Sequence, residues 1–281
     1  MLRERWFSLY LLIASALLYF LGAGIARYLG YVIHWNLLFL GLIWIYSLQV
    51  SATLLRSVRL QRNNYFTKGA NNDDAQRIRF LAAATGLAFL ATFTLIIYSQ
   101  HLFSITIFGS IFTIIIFYTL LDAKYDFLIK LIETVFLTYV IPLLSFTIQS
   151  GKIHPLIVLN AFHLTFIFLS SITLEELSIY TNSNGRNQNS LVKYFGFRRG
   201  ILFHNICVVF TYFSCALLLF WGLPYMIYLP IFFTIPISAY YLWKMNKNFD
   251  SEEPKWFRMK VIHTVLFFSI LYLPLYGYWT R

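Results

Sequence analysis

The residues equipped for chemistry are few. Glu175 and Glu176 are adjacent acids closing an apolar run. Carboxylates can hold a divalent cation, but sequence neighbours point about 100° apart on a helix, a poor cage for the octahedral geometry of Mg²⁺. Arg56, Arg59 and Arg62 recur every third residue, so a continuous helix lines them up as one ridge. Guanidinium groups bind phosphate bidentately, and Lys124 is a further candidate phosphate or headgroup ligand beside Arg56 and Arg59. The same cations equally suit a collar on anionic lipid headgroups, and the sequence leaves both roles open. Lys130 and Glu133 lie inside an apolar stretch. Their spacing of three puts them on one helical face as an expected intramembrane ion pair.

Other chemistry finds little support. The six histidines include no His-x-x-x-His pair, so no zinc or haem site is expected and no metal ligand is assigned. His163 and His204 fall within apolar runs, where hydrogen bonding between helices is the expected role. Cys207 and Cys215 sit about two turns apart on one helix, too far to bridge. No phosphate-binding loop, dinucleotide fingerprint or nucleophile elbow occurs.

The elements that must carry these residues are membrane spans. The chain has 281 residues, 59% apolar and only 12% charged, against roughly 25% charged in a soluble domain. This excludes a secreted disulfide scaffold, a cytosolic enzyme and a nucleic-acid binder, despite a net charge of +11. The expected fold is all-α and polytopic, a single integral membrane domain over residues 1–281. Its nine spans are 7–26, 36–55, 80–98, 102–121, 127–148, 154–174, 200–219, 225–243 and 261–279. Span 1 follows Arg3 and Arg5 as a signal peptide would, but its apolar run has no polar cleavage region, so it is read as retained. Pro142, Pro230 and Pro236 are expected to kink their spans and open space between helices.

Counting Lys130 with its nearest end, nineteen of the 22 Lys and Arg fall at the N-terminus or after spans 2, 4, 6 and 8, leaving only Arg27, Lys152 and Arg281 on the other side. The positive-inside rule therefore puts the N-terminus in the cytoplasm and the C-terminus opposite. The connections 56–79 and 175–199 are long, polar and Asn-rich, suited to turns that cap a cavity.

In this pattern, Leu174-Glu175-Glu176 followed by the stretch from Asn189 to Arg199 resembles a segment of the UbiA superfamily of intramembrane prenyltransferases. In that family an acidic helix end leads through a turn into helix 7. Tyr118, six residues before Lys124, is similar to a second family stretch, with Leu121 and Asp122 at the proline positions, and Gln49 is a third match. The resemblance covers nearly the whole chain and implies a nine-helix bundle around a cavity open to the cytoplasm. It also implies two acidic clusters holding Mg²⁺ against a prenyl diphosphate.

The chain departs from the family at those clusters. Leu55 to Asn63 contains no carboxylate, and of the second cluster only Glu176 is matched, with Ile179 and Ser183 at the next two acidic positions and Gln188 where the turn lysine would be. The leading expectation is a catalytically degenerate UbiA-like protein with no cofactor. Its partners would be an isoprenoid or other membrane lipid, or proteins of a membrane complex. The alternatives are an active divergent prenyltransferase, which would need Mg²⁺, and a lipid or solute transporter.

Overall fold

The computed structural model describes the backbone of residues 2–65, 72–98, 126–182, 192, 196–249 and 255–281. Side chains are described for 10–51, 54, 79–98, 130–181, 192, 196–247 and 255–281. Among these residues the chain is helical with no strands. The helices are α1 (Leu2–Tyr28), α2 (Trp35–Tyr65), α3 (Asn72–Tyr98), α4 (Asp126–Val135), α5 (Ile141–Ser150) and α6 (Pro155–Asn182). They continue as α7 (Phe197–Phe220), the single turn α8 (Tyr225–Tyr228), α9 (Ile235–Phe249) and α10 (Trp256–Thr280).

Among the described residues, seven stretches are long and apolar enough to cross a membrane: Tyr10–Tyr28, Arg79–Tyr98, Lys130–Ser150, Pro155–Thr181, Phe197–Phe220, Tyr225–Lys247 and Trp256–Thr280. This is a multi-pass membrane protein. The seven correspond to expected spans 1, 3 and 5 to 9. The second span is a shorter apolar stretch, Trp35–Ser51, within the longer α2. The fourth, 102–121, lies outside the described residues.

Two spans are interrupted where proline interrupts the backbone ladder. Pro142 offers no N–H to the carbonyl four residues back, and a π-helical turn, Phe136–Val140, joins α4 to α5 just before it. Pro230 lies in the 3₁₀ turn Leu229–Thr234 that joins α8 to α9. At the end of α5, Gly151 takes φ 66° and gives its N–H to the Thr147 carbonyl, a left-handed cap that glycine adopts without strain.

The packing centres on α1, α6 and α10. Helix α1 lies against α5 and α10, α6 pairs with α7, and α10 closes onto α6 and the segment from α8 to the 3₁₀ turn. Leu18, Leu21, Ile25, Phe168, Phe267 and Ile270 are buried in one continuous core. The α1–α5 contact depends on Gly22: a Cβ there would lie 2.1 Å from the Pro142 carbonyl oxygen. Small residues permit this backbone approach in membrane helices, where close packing rather than expulsion of water drives association.

The end of α6 corrects one boundary. The sixth span was expected to close at 174 and its acids to begin a connection, but the helix runs on to Asn182. Leu177 and Ser178 are buried on that extension, so the last two turns are packed, and Glu175 and Glu176 are helical residues facing neighbouring helices.

Candidate functional site

Two lysines from different helices converge on the acids of α6. Lys130 on α4 donates to Glu176 Oε1 at 2.5 Å, with side chains 22% and 2% exposed respectively. Lys260 on α10 pairs with Glu175. The 100° between adjacent residues, which spoils the acids as a shared metal cage, suits this arrangement: each carboxylate addresses a different neighbour. Each pair thereby ties α6 to another helix. A charge this buried requires such a partner.

One turn further into the bundle, the same interfaces carry a neutral polar cluster. Ser171 lies four residues before Glu175 and His263 three after Lys260, so each sits on the face of its charged neighbour. The Ser170 and Ser171 hydroxyls both donate to the Ile167 carbonyl, at 2.7 and 3.0 Å. They therefore accept from His263 Nε2–H, which lies 3.2 Å from Ser170 Oγ and 2.9 Å from Ser171 Oγ. Tyr10 of α1 places its hydroxyl 2.9 Å from Ser171 Oγ.

His204 of α7 completes the cluster. Its Nδ1 is 2.8 Å from the Ser170 carbonyl, which can only accept, so Nδ1 carries the proton. Nε2 must then accept from the Tyr241 hydroxyl at 2.8 Å. The His204 and His263 ring centroids are 5.4 Å apart, and Tyr241 stacks on His263 at 5.3 Å. Both histidines are buried, and among their ring nitrogens only His263 Nδ1 has no hydrogen-bond partner.

This geometry joins five helices, α1, α6, α7, α9 and α10, through side chains that are neutral as arranged. It is a clamp. His204 has both nitrogens committed, and its Nδ1 ends on a backbone carbonyl, so a proton entering at Tyr241 has no onward route through it. On α4, Thr134 donates to the Lys130 carbonyl, and in the π-helical turn that continues it Thr138 lies 2.9 Å from Thr165 of α6. The lysine-bearing helix is therefore fastened to α6 above its ion pair as well.

Of the residues singled out from sequence, the structure brings together Lys130, Glu175 and Glu176. Glu133 lies one turn beyond Lys130 and is half-buried. Arg56 and Arg59 lie on α2, but their side chains and the whole of Lys124 are outside the described residues. Gln49 accepts from Ser15 of α1 at 3.1 Å, a contact between neighbouring spans. His204 takes the interhelical role expected of it. His163 does not: it is fully buried, and neither ring nitrogen has a hydrogen-bond partner. Cys207 and Cys215 are free and buried.

Sequence reading missed Lys260, Ser170, Ser171, Tyr10, Tyr241 and the position of His263. A signal existed in the spacings 171/175 and 260/263, which stack a small polar residue and a histidine directly inside the charges. Which helices face one another, however, is information that no spacing within a helix contains. Among the described residues, no group of three or more His, Cys, Asp or Glu is placed to hold a metal ion. No protein-family model matches the chain, nor does any curated protein.

Proposed function

We propose that this chain is a nine-span, UbiA-like membrane protein that has lost prenyl-transfer chemistry and holds an isoprenoid or other lipid between its helices. The observation that supports this most is the pairing of Glu175 with Lys260 and of Glu176 with Lys130. A prenyltransferase of the family it resembles needs such carboxylates for Mg²⁺ and the diphosphate. Here an ammonium group lies 2.5 Å from the Glu176 carboxylate. A dication bound to the same carboxylate would stand about 4 Å from that ammonium, a repulsion of roughly 8 kcal/mol at an effective dielectric of about 20. The lysines have taken the metal's electrostatic place, and they give the helix end a fixed structure that needs no cofactor.

In this reading Arg56, Arg59 and Lys124 hold the phosphate or headgroup of the lipid directly, through charge-assisted hydrogen bonds worth roughly 1.5–3 kcal/mol each. The N-terminus faces the cytoplasm, in keeping with the distribution of Lys and Arg. The test is retention of farnesyl monophosphate by the purified protein, read by native mass spectrometry. Arg56→Gln should weaken retention about 10- to 100-fold, while Arg258→Gln, in a basic segment assigned no ligand, should leave it within about twofold. Equal losses from both substitutions, or none from either, would overturn the reading.

A further inference from the structure

A second polar group lies toward the other end of α6, about 18 Å from Glu175 at 1.5 Å per residue. Asn160 and His163, three residues apart, are neighbours on one face of α6. They are 1% and 0% exposed. Facing them are Tyr228, at the end of α8, and Tyr278, in the last turns of α10, both fully buried.

The hydrogen bonds in this group have a direction. Asn160 Nδ2 lies 2.7 Å from the Leu156 carbonyl, which can only accept, so the amide orientation is fixed and Oδ1 points elsewhere. The remaining Nδ2 proton goes to the Tyr278 hydroxyl oxygen at 3.1 Å. The arrangement that leaves no Tyr278 proton unpaired has Tyr278 donating to Tyr228, whose hydroxyl lies 3.1 Å away. The chain of donors ends at the Tyr228 O–H. His163 meets the Tyr228 ring edge to face, with centroids 5.6 Å apart and planes at 90°. Among the described residues, neither His163 nitrogen nor Asn160 Oδ1 has a hydrogen-bond partner.

Two acceptors are thus left over, Asn160 Oδ1 and the bare nitrogen of His163, together with two donors, the His163 N–H and the Tyr228 O–H. An anion would be repelled by the Asn160 oxygen, and a cation by the two donor protons. Arg27, a basic side chain on this side, is held over the Trp279 ring at 5.5 Å. A neutral group that donates once and accepts twice through one atom meets three of the four, Asn160 Oδ1, the His163 N–H and the Tyr228 O–H, and leaves the bare His163 nitrogen, which points in another direction from the ring. That group is a hydroxyl. Because the residues lie inside membrane-spanning helices, a ligand arriving from the bilayer carries an apolar body.

We propose that Asn160, His163 and Tyr228 form a buried subsite for the hydroxyl of a neutral long-chain lipid, either an aliphatic alcohol or a phenol. This names a ligand class within the lipid-binding reading and rests on it. The subsite is distinct from the phosphate-binding end of the bundle, so the two can fail separately.

The experiment measures binding of farnesol and of 4-nonylphenol to the purified full chain in detergent, each against its methyl ether, by native mass spectrometry. The ether keeps the apolar body and loses the donated hydrogen bond to Asn160. The hydroxyl compound of at least one pair should bind about tenfold tighter than its ether. Which pair shows the preference identifies the aliphatic or the aromatic source. His163→Leu and Asn160→Leu should abolish that preference, Tyr228→Phe should reduce it, and Arg56→Gln should leave it intact. Tyr228→Phe changes a single atom and keeps the fold testable if the leucine variants do not purify. Equal binding of hydroxyl compound and ether by the unaltered protein would overturn the proposal, as would a preference that persists in all three variants. So would leucine variants that are more stable than the parent in a protein with no hydroxyl preference, the result expected if the group holds only buried water. Loss of farnesyl monophosphate binding with the hydroxyl preference intact would remove the phosphate reading alone.

Discussion

The two partners in the Lys130–Glu176 pair should respond differently to substitution. Glu176 is 2% exposed and Lys130 is 22% exposed. Lys130→Met takes the ammonium from a carboxylate that water barely reaches, and breaking a buried pair from that side costs roughly 3–5 kcal/mol. Glu176→Gln leaves the more exposed partner without its carboxylate. A lysine within two turns of a helix end can extend its amine toward the interface, so the cost falls to about 1 kcal/mol. At roughly 2–4 °C per kcal/mol, melting in detergent should fall by about 6–20 °C for Lys130→Met and about 2–4 °C for Glu176→Gln. The double variant Lys130→Met/Glu176→Leu replaces the pair with apolar groups and should recover to within about 1 kcal/mol of the parent. The assay is thermal unfolding of the three purified proteins at one pH and lipid content. If Glu176→Gln is the more damaging, or the double variant loses the sum of the single effects, the pair is not the buried contact proposed to exclude a metal.

Gly22→Ala drives a Cβ into the Pro142 carbonyl and should destabilise by about 1–3 kcal/mol, whereas Gly86→Ala, with nothing within 4 Å, should be neutral or stabilising by up to about 1 kcal/mol; comparative melting decides. Tyr241→Phe strips the donor from His204 Nε2 and should cost about 1–3 kcal/mol, read by the same assay, while Tyr240→Phe on the exposed side of α9 should cost less than about 0.5 kcal/mol. Single cysteines placed in 57–79 and 182–199 should react with a membrane-impermeant maleimide only from the cytoplasmic side. Labelling of either segment from the opposite side would reverse the topology.

The helical membrane architecture was legible because apolar length alone dictates it: in lipid, backbone groups must bond within their own segment, and 20-residue runs admit only helix. The breaks near Pro142 and Pro230 were legible for the same local reason. Helix ends were less so. Glu175 and Glu176 read as the start of a polar connection because two adjacent charges are costly in a span, and lysines on α4 and α10 offset that cost. Lys130 illustrates the limit. Glu133, three residues away on the same helix, was a partner legible from spacing; Glu176, on another helix and 46 residues on, was not. His163 and His204 were given one role from similar surroundings, yet His204 meets Tyr241 and a carbonyl whereas His163 meets the edge of Tyr228. That difference is set by which helix lies opposite, a consequence of packing that leaves no mark in either histidine's neighbourhood in sequence.

The most direct test of the central claim is Mg²⁺-dependent release of pyrophosphate from geranylgeranyl diphosphate by the purified protein in liposomes, compared with its Glu176→Ala variant. With Glu175 and Glu176 tied to lysines, both proteins should release no pyrophosphate above the protein-free rate, with or without Mg²⁺. Release that requires Mg²⁺ and disappears in Glu176→Ala would contradict the claim and make the chain an active prenyltransferase.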